Sequence, residues 1–151
     1  MKIPTTPSDT PYGRFLISDN KHRLDPIYVY ELLCTPKANS NGVPQRRFPI
    51  IIENSLCFGV YDGKHQIGYS RVITDYSEFA TIWDVFIDEP YRKKGLGQAL
   101  MTAIMNNPKL KEVYRWFLMT EDKHRLYEKF GFKREHFNPY YMMYLNPAAN
   151  S

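Results

Sequence analysis

A chain of 151 residues, 43% hydrophobic and 24% charged, is long enough for one buried core and has an ordinary globular composition, which sets aside disorder, collagen and repeat arrays. Its 20 Lys and Arg against 16 Asp and Glu leave +4, too small a surplus to mark a nucleic-acid binder without a clustered basic face. The two cysteines, Cys34 and Cys57, show neither CxxC spacing nor a neighbouring histidine pair, so no metal site is expected and the thiols are read as reduced.

Residues 1–11 are rich in Pro and Thr, the composition of a loose leader, and residues 146–151 read as a frayed tail. Prolines stand where a signal peptide would carry its apolar stretch, and no run approaches the ~18 apolar residues of a membrane span. A cytoplasmic protein with no membrane contact is therefore expected, built as a single domain over 1–151 with its core at about 12–145.

Phe15-Leu16-Ile17 suits a first strand, and Asp19 or Asp25 suits the cap of a helix over Pro26 to Leu33. Pro36 to Pro49, with Gln45-Arg46-Arg47 inside it, reads as an exposed loop or a lid, followed by a short helical turn within Phe48 to Leu56. LCFGVY, the turn Asp62-Gly63 and QIGYSRVIT form a hairpin pattern. The polar turn Asp75 to Glu78 then leads to FATIWDVFI, a third β-rich run.

After Pro90, Leu96, Leu100 and Ile104 recur at a spacing of four with Met101 and Met105 beside them, which predicts a helix with one buried face. YRWFLMT reads as a strand, HRLYEKF as a helix ended by Gly131, and YYMMYL as a closing strand. The order predicts an α/β (α+β) architecture, a mixed and mostly antiparallel central sheet flanked by helices.

The densest chemical signal is the passage from Val85-Phe86-Ile87 through Arg92-Lys93-Lys94-Gly95-Leu96-Gly97-Gln98, where a strand ends in a turn and opens a helix with glycines at its start. Unpaired N–H groups of a first helical turn, the helix dipole and glycines that admit close approach together favour a pyrophosphate. The alternative is a tight turn before a core helix. No G-x-x-x-x-G-K-S/T is present, and Leu100 stands where a dinucleotide fingerprint needs its third glycine.

Arg92-Lys93-Lys94-Gly95-Leu96-Gly97 resembles the Q/R-x-x-G-x-G/A signature of the GNAT (GCN5-related N-acetyltransferase) family, placed after a strand as in that family. Leu118 to Phe132, with its YEKFGF, resembles the family's later strand-helix motif; the likeness spans about Leu56 to Leu145. It implies a sheet whose two central parallel strands splay apart to admit the pantetheine of acetyl-CoA. It also implies that the main chain of Val85, Phe86 and Ile87 pairs with the pantetheine and that the loop from Arg92 through Gly97, with Gln98, holds the pyrophosphate.

The implied activity is acetyl-CoA-dependent N-acetyl transfer to a small-molecule amine or a protein amino group, with no metal, by a monomer or homodimer. A non-catalytic acyl-CoA sensor or interaction module of the same fold is the alternative, and nucleic acid is not an expected partner. Tyr127 occupies the position from which family members protonate the departing thiolate; apart from the resemblance it reads as a core ring beside Leu126 and Phe130. His124 is a candidate for hydrogen bonding the cofactor, or else a surface residue at a helix start.

The family's glutamate base aligns with Thr81, a departure. Asp84, the one acid within FATIWDVFI, is the leading candidate for a base acting through water, with Asp75 and Glu78 behind it. It is equally well read as a structural partner for a backbone amide or for Arg71. Arg71, Thr74 and Trp83 are expected to line the acceptor pocket, with Tyr76, Phe79, Tyr28 and Tyr30 as further candidates.

Overall fold

Leu56, Phe58 and Val60 alternate with Cys57 and Tyr61, and all five are buried, so this strand lies covered on both faces inside the sheet. The computed structural model describes residues 2–35, 42–134, 142, 144 and 146–150. Its six strands follow one another in a single sheet: β1 (Asp9–Tyr12), β2 (Phe15–Ser18), β3 (Leu56–Asp62), β4 (His65–Thr74), β5 (Phe79–Ile87) and β6 (Arg115–Phe117). Neighbours pair antiparallel through β5, and β5 pairs with β6 in parallel. The expected mixed, mostly antiparallel sheet flanked by helices is what forms.

Helix α1 (Pro26–Cys34) begins at Asp25, whose Oδ1 accepts from the N–H groups of Ile27 (3.0 Å) and Tyr28 (3.2 Å). Pro26 occupies the first turn, where its missing N–H has no cost. With α2 (Phe48–Glu53), α1 covers one face of the sheet, where Val29, Leu32 and Leu33 pack with Cys57 and Tyr69. Helices α3 (Leu96–Met105) and α4 (His124–Glu128) take the other face, where Leu96, Leu100, Met101, Ile104 and Tyr127 meet Phe58, Val60, Ile67 and Val72. Each such aliphatic side chain contributes about 1.5–3 kcal/mol by leaving water.

Several expectations change. The supposed leader ends in β1, an edge strand that is mostly exposed and therefore lacks an apolar pattern; it is held by backbone pairing to β2. Asp19 caps no helix. Its buried carboxylate accepts from Ser8 N–H (2.7 Å), Asn107 Nδ2 (2.8 Å) and Lys109 Nζ (2.6 Å), while Lys109 also donates to Thr6 O (2.8 Å). The N-terminal segment is thus latched to the turn that follows α3.

The strand expected over YRWFLMT shortens to Arg115–Phe117, and the closing strand expected at 140–145 lies outside the described residues save Met142 and Tyr144. Of the expected 36–49 loop, residues 36–41 lie outside as well, and Gln45–Arg47 form a 3-10 turn that runs into α2. Pro147–Asn150 form a 3-10 turn where a frayed tail was expected, with Ala148 N–H donating to Asn146 Oδ1 at 3.2 Å. No helix among the described residues is long and apolar enough to cross a membrane.

Candidate active site

The site is built where β5 runs on past the end of β6. Phe79, Ala80 and Thr81 pair with Arg115, Trp116 and Phe117, after which β6 ends while β5 runs on to Ile87. The edge of β5 that faced β6 therefore carries no described strand from Ile82 onward, and Val85, Phe86 and Ile87 lie in that open stretch. An extended chain bearing amides can pair with such an edge.

Within this stretch the β4–β5 register shifts: Arg71 pairs with Trp83 but Tyr69 with Phe86, so β5 carries one extra residue. The extra residue bends the chain at Asp84, whose φ of 57° is left-handed, a region a short polar side chain tolerates. Arg71 Nε donates to Asp84 Oδ2 at 2.5 Å, with both side chains only 13% exposed, and Arg71 Nη1 reaches Ser55 Oγ at 3.4 Å. The expected catalytic carboxylate and the expected acceptor-pocket arginine are thus each other's partners. Among the described residues nothing bonds the second carboxylate oxygen of Asp84.

Beyond Ile87 a 3-10 turn (Glu89–Tyr91) leads into the glycine loop. Lys93 (φ 62°) and Gly95 (φ 79°) are left-handed, and the first backbone bond of α3 is Ala99 N–H to Gly95 O at 3.0 Å. The N–H groups of Leu96, Gly97 and Gln98 therefore have no partner within the helix. A Cβ on Gly97 would meet only Leu126 Cδ2, at 3.7 Å, so the space before the first turn is open. This is a donor cluster suited to an anion.

The loop's cations divide. Lys93 and Lys94 are exposed. Arg92 is turned back: its Nε donates to Ile87 O (2.8 Å) and its guanidinium lies over the Phe86 ring at 5.3 Å from the centroid. It fastens the loop to the end of β5.

Tyr127 is 7% exposed, and its ring meets that of Phe132 edge to face at 6.3 Å. Its hydroxyl has no hydrogen-bond partner among the described residues, and burial first, then the Asp122 charge, push the phenol above its ordinary pKa. A phenol so placed keeps its proton at neutral pH. Leu126, the preceding residue, lies beside Gly97, so α4 packs against the start of α3, where the donor cluster stands. His124 opens α4 and is half-buried.

The remaining candidates separate. Trp83, beside Arg71 in the ladder, is 38% exposed on the sheet surface. Thr74 is occupied by the β4–β5 turn, its hydroxyl donating to Phe79 O (2.7 Å) and accepting from Tyr76 N–H (2.8 Å). Asp75 caps the same turn, accepting from Ser77, Glu78 and Phe79 N–H groups; the bond from Phe79, followed by that from Ser77, holds its carboxyl below the usual range. Glu78 pairs with Arg115. Both alternative acids thus have structural duties in the turn, and Asp84 does not share them.

Tyr28 donates to Asp88 Oδ1 (2.7 Å), joining α1 to the end of β5, and Tyr30 packs edge to face on Phe48 at 5.4 Å. The Thr81 hydroxyl is buried without a partner among the described residues, at the last rung before β5 and β6 part. Two concavities of about 780 and 990 Å³ open beside Tyr30 and Phe48 and beside Phe117 and Phe132. Neither is lined by Tyr127, Asp84 or the glycine loop, so the site is defined by the strand parting and the donor cluster. Sequence reasoning missed Ser55 and Tyr12, whose hydroxyl donates to Lys94 O at 3.0 Å; no local pattern marks them.

Residues 53–134 match the acetyltransferase (GNAT) domain. A solved structure from Xanthomonas campestris pv. campestris, assigned to the GNAT family of acetyltransferases, superposes with a TM-score of 0.82 at 32% identity, covering 93% of this chain and 98% of that one. An uncharacterized N-acetyltransferase, ycf52, of Gracilaria tenuistipitata var. liui is 33% identical over 75 residues, 46% of this chain and 41% of its own. Histone acetyltransferase TAP1 of Glycine max is 43% identical over 42 residues, 28% of this chain and 18% of its own. The chain thus spans less than half the length of these two curated relatives.

Proposed function

The chain belongs to the GNAT acetyltransferase family, and from that premise we propose that it transfers an acetyl group directly from acetyl-CoA to a primary amine of a small molecule or a protein. The observation that carries this reading is Tyr127, its ring buried and its hydroxyl bonded to no described residue, on the helix that packs against α3 and its unpaired amides.

The residues present fit acetyl-CoA. The amides of Leu96, Gly97 and Gln98 and the exposed Lys93 and Lys94 would hold its pyrophosphate, and the open edge of β5 at Val85, Phe86 and Ile87 would pair with its pantetheine amides. When bound, it supplies the acetyl thioester. Amine attack on the carbonyl carbon forms the C–N bond and breaks the C–S bond, and no covalent enzyme intermediate is needed.

Two protons must move. Tyr127 gives its phenolic proton to the leaving sulfur, and the amine proton passes through water to the carboxylate oxygen of Asp84 that Arg71 does not engage. His124, at the first residue of α4, contributes a contact to the donor. Arg71 and Trp83 border the acceptor on the sheet face, whereas Thr74 contributes through the turn it closes. The reduced Cys34 and Cys57 suit a reducing compartment, and we place the protein in the cytoplasm.

Calorimetric titration with acetyl-CoA and with CoA tests the first half. Thiol release over a panel of amines, including small polyamines and a lysine-bearing histone-tail peptide, tests the second. Saturable binding with release for any amine supports transfer, binding without release across the panel favours an acyl-CoA sensor, and no binding removes the proposal.

A further inference from the structure

We propose that Tyr12, on the edge strand β1, is a positioning residue that aims the Gly95 amide at the pyrophosphate of the acyl-CoA donor; this rests on the acyl-CoA reading above. The Tyr12 hydroxyl donates to the carbonyl of Lys94 at 3.0 Å across 82 residues of sequence. That carbonyl and the Gly95 N–H belong to one planar trans peptide unit and point in opposite directions. Holding the carbonyl toward Tyr12 therefore turns the Gly95 N–H away from it, a direction otherwise free in an exposed glycine loop.

The contact is specific to this pair. A Cβ at position 95 would lie 2.5 Å from the Tyr12 oxygen, so the phenol occupies the space a side chain would need. Tyr12 is 40% exposed and joins neither buried cluster, so core packing does not account for it. Its own place is secured: it pairs with Phe15 in the β1–β2 ladder, and the segment before it is latched at Ser8 and Thr6 by Asp19 and Lys109. With Arg92 bonded to Ile87 O, the loop is pinned near both ends, at Arg92 and at Lys94.

The test is Tyr12→Phe, which keeps the ring and removes the donor, measured against acetyl-CoA and against S-acetylpantetheine, which lacks the pyrophosphate. We expect Kd and KM for acetyl-CoA to rise about 3–10-fold, the loss of one hydrogen bond. The KM for S-acetylpantetheine, kcat at saturating donor and the melting temperature should stay at wild-type values. Equal affinity of variant and wild type for acetyl-CoA overturns the proposal. So does an equal weakening toward both donors, which would mark Tyr12 as merely structural. If the wild type itself binds no acetyl-CoA, this inference and the acyl-CoA reading fall together; if it binds and the variant matches it, this inference alone falls.

Discussion

Arg71 and Asp84 meet at 2.5 Å across the register shift between β4 and β5, so the one residue that bends β5 is held by an ion pair largely shut off from water. Removing one partner of such a pair leaves a buried charge uncompensated. Arg71→Met is expected to lower stability by about 3 kcal/mol, measured by urea unfolding. Asp84→Asn retains a residue that accepts the left-handed backbone and should cost less stability than Arg71→Met, while lowering kcat. Full activity of a folded Asp84→Asn variant would leave the ion pair as the only role of Asp84.

Tyr127→Phe should keep acetyl-CoA affinity and lower kcat by about 10²-fold or more. The pH profile carries a second expectation. Because burial and the Asp122 charge raise the phenol's pKa, the protonated form persists to higher pH than that of a free tyrosine. Activity dependent on this acid should hold through the alkaline range and fall only above the pH at which a free tyrosine ionises. A fall in kcat centred between pH 7 and 8 that persists in Tyr127→Phe would assign the limb to another group.

The two glycines of the loop should fail differently. Gly95→Ala places a Cβ 2.5 Å from the Tyr12 oxygen at a left-handed φ of 79°. The backbone alone costs about 1–2 kcal/mol, so thermal stability should drop together with donor binding. Gly97 lies within α3 with only Leu126 Cδ2 nearby, at 3.7 Å. Gly97→Leu should therefore leave the melting temperature close to wild type and weaken CoA binding, because its side chain fills the approach to the amides.

Asp19 takes no part in the proton transfers of this scheme, yet its removal should be severe. Its fully covered carboxylate gathers Ser8, Asn107 and Lys109 around one point. Asp19→Ala strands a nearly buried lysine and is expected to cost about 3–5 kcal/mol by chemical denaturation. A loss below 1 kcal/mol would mean that the N-terminal segment is not held by this latch.

Much of this protein is determined locally. The apolar spacing of Leu96, Leu100 and Ile104 is a property of one helix, the Asp62-Gly63 turn of one hairpin, and the glycines at 95 and 97 of one strand-to-helix passage; each was legible because its physics closes within a few residues. Tyr127 was singled out by the resemblance of a contiguous motif, and the structure adds its burial beside Phe132. The edge strand β1 carried no signal, since backbone pairing rather than apolar alternation holds it. Only the tertiary structure decided that Thr74, Asp75 and Glu78 are consumed by a turn and its flanking ion pair, and that Arg71 engages Asp84. It also decided that Asp19 finds Lys109 and that Tyr12 reaches Lys94. A polar side chain offers the same donors and acceptors wherever it stands, and its partner is chosen by which strands the fold sets side by side.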